Sequence, residues 1–267
     1  MKFLSCILGL VLFTTLTNAQ DVGTIKKAVK SSLVIRFKVK SGIAAASGTV
    51  FNKKIDGKDH SFILSCSHGI DTVEQDFVGL YLVGPMLIKF NLQPIFFSSA
   101  SGGQDMILYY CPSQLRSFIK MGDKRAEVGE KIFHVGTPYS ITHFNSVFDG
   151  IVSHHNSRIQ PSKDKKSISS YDMGTFLSQG GCSGGGVFNT EGEYIGTLLV
   201  NVNDTSWSGF RNILDIKKTL DSNNLSWLYN DEKIKIEDIK KMKLTDESVG
   251  LKKILPIPLI NEDNEKL

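Results

Sequence analysis

Between Ser32 and Val200 the apolar residues come in short runs, and nearly every run is closed by Gly, Pro, Asn, Asp or Ser. Residues 32–40 end in an apolar/basic alternation, the pattern of a half-buried strand. Residues 46–51, 61–66, 78–82, 86–90, 93–97, 105–110, 131–136, 146–152, 173–177, 187–189 and 194–200 are read as further strands. Between them lie turn chemistry at 52–58, Val83-Gly84-Pro85 and Thr137-Pro138, and a Ser/Lys-rich stretch at 157–170 predicted to be an exposed loop. Residues 21–30 form a short polar or helical lead-in, and 213–220 is the first sustained helical segment. Many short strands with few helices predict an all-β sandwich or barrel.

A chain of 267 residues with 41% hydrophobic and 22% charged residues has the composition of a globular protein, in one large domain or two small ones. The net charge of +4 is mild, whereas nucleic-acid binding usually goes with a concentrated basic stripe, so no nucleic-acid partner is expected. Met1-Lys2, an apolar stretch to Leu16 and the small-residue end Thr17-Asn18-Ala19 predict a signal peptide over 1–19. The apolar stretch falls short of the roughly 20 residues of a spanning helix. The expectation is a secreted or periplasmic protein with no stable membrane anchor after cleavage. Cys66, Cys111 and Cys182 then remain. At least one of them stays free or pairs with another molecule, and any pairing among the three is open.

Chemistry is concentrated in Gly180-Gly181-Cys182-Ser183-Gly184-Gly185-Gly186. A serine hydroxyl is a weak nucleophile until a base takes its proton and a third group orients that base. His68 closes the run 61–66 and can be the base; Asp105 opens the run 105–110 and can orient it. Asp71 and Asp76 compete with Asp105, but neither opens so long an apolar run. His60, His134, His143, His154 and His155 lack the small-residue setting of His68. Glycines keep the approach to the backbone N–H groups clear, so Gly181 and Ser183 are the expected oxyanion donors. Cys182 is a rival nucleophile. Nothing in this chemistry calls for a metal or another cofactor.

Ser47-Gly48-Thr49-Val50-Phe51, Leu64-Ser65-Cys66-Ser67-His68, Asp105-Met106-Ile107-Leu108 and Gly181-Cys182-Ser183-Gly184-Gly185 resemble, in order, the motifs of trypsin-like serine proteases. The spacings of 37 and 78 residues between His68, Asp105 and Ser183 are similar to those of the compact bacterial-type members. The stretches 129–138, 149–153 and 192–196 are similar to the HtrA-type protease domain. The resemblance spans about residues 34–220. It implies two perpendicular six-stranded β-barrels with a C-terminal helix, and a cleft between the barrels. His68 and Asp105 would belong to the first barrel and Ser183 to the second. It leaves no room for the peptide-binding domain of many HtrA-type proteins, so their regulated oligomeric behaviour is not expected.

On this resemblance the domain is expected over 20–222, followed by a charged extension over 223–267 that is read as an exposed helix and tail. The expected activity is a serine endopeptidase acting on proteins or peptides through an acyl-enzyme; the alternative is a silent relative that binds peptides or a partner. Cys182 stands where family members activated by cleavage carry an aspartate, so activation by that ion pair is not expected. Leu177 stands where members of basic specificity carry an acid. With Leu198 in the same pocket wall, it implies a preference for small or medium apolar residues. In cysteine relatives of the fold the nucleophile is followed by Gly; Ser183 is followed by Gly184 and Cys182 is not, which ranks Ser183 first.

Overall fold

The computed structural model describes residues 21–39, 42–68, 77–99, 104–138, 143–159, 169–202 and 205–242. The expected signal peptide, Asp71, Asp76 and the chain beyond Met242 lie outside the described residues.

Helix α1 (Val22–Lys30) is capped by Asp21, whose side chain accepts from the N–H of Gly23. Six strands follow: β1 (Ser32–Val39), β2 (Gly42–Ile55), β3 (Lys58–Ser65), β4 (Phe77–Val83), β5 (Met86–Ser98) and β6 (Met106–Cys111). They close into a barrel in the order β1-β2-β3-β6-β5-β4. A second set, β7 (Lys131–Gly136), β8 (Ser146–Ile159), β9 (Ser169–Gly174), β10 (Gly186–Asn189), β11 (Tyr194–Asn201) and β12 (Ser208–Asn212), closes with the same connectivity. All strand pairs within the two barrels are antiparallel. The expected all-β architecture of two six-stranded, chymotrypsin-like barrels is the one observed.

Two local expectations change. The predicted loop at 157–170 is strand at both ends, because Arg158 pairs with Ser170 and Ile159 with Ser169. Strand β12 is not anticipated from its five residues; it fills the gap between β9 and β11 that closure of the barrel requires.

Alternation decides which core each side chain enters. On β6, Ile107, Tyr109 and Cys111 join a cluster with Leu33, Ile35, Val50 and Ile63. Met106, Leu108 and Tyr110 face the opposite way, into a cluster with Phe62, Leu64 and the C-terminal elements. Both faces of β6 are covered, which is why its sequence is continuously apolar. The cover comes from α2 (Ile213–Ser222), a turn of 3-10 helix (Ser226–Leu228) and α3 (Ile236–Lys241). Trp227 is 2% exposed and meets Phe62 edge-on at 4.9 Å, and Ile239 is fully buried. Residues 225–239 thus pack on the first barrel. Charge patterning could not reveal this, because the buried Leu225, Trp227, Leu228 and Ile239 are scattered among exposed charged and polar residues.

Candidate active site

The register of β3 with β6 assembles the first half of the site. Ser65 is opposite Ile107, so continuing the antiparallel register past the strand ends brings His68 level with Gln104 and Asp105. His68 Nδ1 lies 2.7 Å from Asp105 Oδ2. Asp105 Oδ1 accepts the N–H of His68 at 2.7 Å, the N–H of Ser67 at 2.9 Å and the hydroxyl of Ser67 at 3.1 Å. Asp105 has φ 49, a left-handed conformation that Asp tolerates better than most residues and that the surrounding hydrogen bonds hold in place.

These contacts decide the charge states. Burial alone would raise the Asp105 pKa, but the hydrogen bonds and charge of His68 and the N–H of Ser67 outweigh it and hold the carboxyl below its usual value. The Cys66 side chain, and then the Asp105 carboxylate, hold the His68 pKa well above 6.5 against the cost of burial. Asp105 is therefore an anion bound to one defined face of the imidazole.

Ser183 arrives from the second barrel on the loop between β9 and β10. The backbone of that loop is tied on both sides. Cys182 N–H donates to Gln179 O, Gly184 N–H to Leu198 O and Gly185 N–H to Cys182 O. Gly181 and Gly184 have φ 95 and 86, the left-handed region that glycine adopts without strain. A side chain on Gly184 would also collide with the Ser65 hydroxyl and the Ser47 carbonyl. Among the described residues the N–H groups of Gly181 and Ser183 have no acceptor, and both residues are partly exposed. Ser183 Oγ likewise has no hydrogen-bond partner among them; nucleophile–base bonds often tighten only when substrate binds.

Ser47 on β2 joins the two halves. Its N–H donates to Ser183 O at 2.8 Å and its hydroxyl donates to Gly181 O at 2.8 Å, while accepting the N–H of Thr137 at 2.9 Å. Ser47 is fully buried. The motif Ser47–Phe51 marks its place in the sequence, but the role of its side chain is not legible there, since its partner lies 134 residues away.

The other singled-out residues fall as follows. Cys182 is fully buried among Phe176, Val187, Leu198 and Phe210, and burial pushes its thiol pKa up, so it is neither reachable nor activated as a nucleophile. Cys66, Cys111 and Cys182 are all free thiols. Leu177 is 48% exposed, whereas Leu198 is 2% exposed and its side chain packs in the same cluster as Cys182. Beside Leu177, Ser178 and Ser208 share a buried hydrogen bond of 2.7 Å, and Asn201 Nδ2 donates to Ser178 O.

Beneath the serine loop lies His134, fully buried between the rings of Phe148 and Phe176 at 5.9 and 5.6 Å. Its Nδ1–H donates to Gly186 O at 3.0 Å, and Nε2 has no partner among the described residues. Burial lowers its pKa from 6.5 to about 4. Above pH 6.5 the residue is neutral in both states. As pH falls from 6.5 to 4 the unfolded chain takes up a proton that the folded chain refuses, so stability is lost, by about 3 kcal/mol in all. Below pH 4 no further loss comes from this group. His134→Phe, which keeps the ring stack, is expected to show a shallower acid loss in urea unfolding at pH 6.5 and pH 4. An acid loss equal to the wild type's would assign the sensitivity elsewhere.

Residues 46–196 match the family described as a trypsin-like peptidase domain. No curated protein matches the chain. Among solved structures, the serine endoprotease from Yersinia pestis superposes with a TM-score of 0.59 at 15% identity, over 79% of this chain and 68% of that one. At that identity the likeness is one of fold. The family match runs from within β2 into β11 and includes His68, Asp105 and the serine loop.

Proposed function

The chain belongs to the trypsin-like peptidase domain family, and from that premise we propose that it is a serine endopeptidase with His68, Asp105 and Ser183 as its triad. The observation that carries this reading is the His68–Asp105 pair, 2.7 Å apart, together with a serine loop whose Gly181 and Ser183 N–H groups are uncommitted.

Ser183 Oγ attacks the scissile carbonyl while its proton passes to Nε2 of His68. Asp105 holds Nδ1–H and stabilises the imidazolium that forms. The tetrahedral oxyanion is met by the N–H groups of Gly181 and Ser183. Collapse returns the proton from His68 to the departing amine and leaves an acyl-enzyme. Water, deprotonated by His68, then releases the acid and restores Ser183.

A tagged fluorophosphonate tests the assignment directly. Labelling of the wild type and of Cys182→Ser, with none of Ser183→Ala, is the expected outcome. No labelling of any form would favour a silent peptide-binding relative, and loss on Cys182→Ser alone would favour the cysteine.

The apolar specificity reading rests on Leu177, with Leu198 behind it in the core, and on the uncharged Ser178, Ser208 and Asn201 nearby. A peptide library should be cut mainly after small or medium apolar residues; cleavage mainly after Arg or Lys would overturn it. Protein or peptide substrates follow from the family. Export is part of the same proposal, supported by the pattern of residues 1–19; the N-terminus of the exported protein should be Gln20. No described helix is long and apolar enough to cross a membrane.

Ser47 acts on the same loop. In Ser47→Ala the Thr137 N–H loses its acceptor and the Gly181 carbonyl loses its tie. A cost of about 1–3 kcal/mol, or roughly fivefold to 150-fold, is expected in kcat with little change in KM. A lowered melting temperature with unchanged kcat would limit Ser47 to a structural role.

A further inference from the structure

The β4–β5 hairpin extends beyond its barrel. The pairing of β1 with β4 ends at Leu80, and the pairing of β5 with β6 begins only at Gln93. Between those points the two strands have, among the described residues, only each other as strand neighbours. Opposite pairs there are Tyr81 with Ile88, Leu82 with Leu87, and Val83 with Met86.

Side chains alternate across the ribbon, so Leu82 and Leu87 lie on one face and Val83 and Met86 on the other. All four, and Ile88, are 42–62% exposed. The ribbon is therefore apolar and exposed on both faces. The turn is Gly84, at φ 60, and Pro85, which has no N–H to leave unpaired in an apolar medium.

The stretches that meet the Tyr81 hydroxyl at the ribbon's base are basic. The Tyr81 hydroxyl donates to the carbonyls of Lys30 and Arg116, which brings the end of α1 and the segment 112–120 against it. Helix α1 contributes Lys26, Lys27 and Lys30, segment 112–120 contributes Arg116 and Lys120, and the hairpin contributes Lys89. None of these three stretches contains an Asp or Glu. The whole chain holds 31 basic and 27 acidic residues, so this end is segregated rather than typical.

We propose that the β4–β5 hairpin seats the protein reversibly on an anionic lipid bilayer. Leu82, Val83, Met86, Leu87 and Ile88 enter the headgroup region, and Lys30, Lys89 and Arg116 meet lipid phosphates. This is adsorption by a loop and involves no membrane-spanning segment. It holds the peptidase domain at the membrane face, where substrates would be membrane-associated chains.

The test uses the chain from Gln20 onward, which holds every described element and omits the apolar stretch 3–16. It is sedimented with vesicles of phosphatidylglycerol and phosphatidylcholine in equal parts. Binding is expected to fall about tenfold or more on pure phosphatidylcholine, in high salt, in Met86→Asp/Leu87→Asp and in Lys30→Glu/Arg116→Glu. Thermal melting of each variant serves as the folding control. In Met86→Trp/Trp207→Phe, emission should shift to the blue on binding and be quenched by bromolipids. Absence of binding to either vesicle overturns the proposal, as does binding that Met86→Asp/Leu87→Asp leaves intact. So does self-association in solution that the same pair of substitutions abolishes, which would make the ribbon an interface between copies.

Discussion

Ser183→Ala and His68→Ala are each expected to lower kcat by about 10⁴–10⁶, with the double variant scarcely worse than either single one. On the proposed triad the two residues act in one proton transfer, so losing either removes the same step. What remains is the donor pair of Gly181 and Ser183, whose N–H groups belong to the backbone and survive the substitution of Ser183. The measurement is turnover of a fluorogenic peptide by purified variants whose thermal melting matches the wild type. Single variants whose effects simply multiply would show that the two residues act independently, and the triad assignment would fail. The wild-type acid limb should lie above pH 6.5, because the Cys66 side chain and the Asp105 carboxylate hold His68 in its charged form and a base must be neutral to work. Activity therefore rises as pH climbs through the His68 pKa.

Asp105→Asn should cost about 10⁴ in turnover with a nearly intact fold. The reason lies in how the four donors are divided. Oδ1 accepts from the N–H groups of Ser67 and His68 and from the Ser67 hydroxyl, so the amide oxygen of an Asn must keep that position. The amide NH₂ then takes the place of Oδ2 and donates to Nδ1 of His68. The imidazole is forced to carry its proton on Nε2, where it can no longer accept one from Ser183. Loss of the anion should also lower the His68 pKa, moving the acid limb of the residual activity downward. A drop of only a few-fold, with the acid limb unmoved, would mean that another carboxylate orients His68; Asp76 would be the next to substitute.

Much of the fold and of the site is legible in the residues alone, for identifiable reasons. Strand lengths and turns are local properties, written in side-chain alternation and in residues such as Gly84 and Pro85. The ordered appearance of His68, Asp105 and the glycine-rich loop is likewise visible along the chain, because chemically demanding loops restrict which residues they tolerate. Less visible is the contrast between neighbours. Leu177 and Leu198 look equivalent as apolar residues, yet one is half exposed and the other packs against Cys182. Leu198 sits on a strand buried on both faces, where alternation no longer shows which face holds the pocket. The charged stretch after Asn223 conceals Trp227, buried against Phe62 of the first barrel, and Ile239, buried in the same cluster.

By itself, then, the sequence determined the all-β character, the approximate strands and the residue types able to form a hydrolytic site. Tertiary structure decided which of them meet. Closure of each barrel selects one register out of several that the turns would permit, and a shift of one residue would turn every side chain to the opposite face. That selection aligns His68 with Asp105, and packing of one barrel against the other lets Ser47 hold the Gly181 carbonyl across 134 residues. It also ends the pairing of β4 early enough to leave an apolar ribbon standing in solvent. Such contacts depend on chain closure over long separations, which no local pattern of residues records.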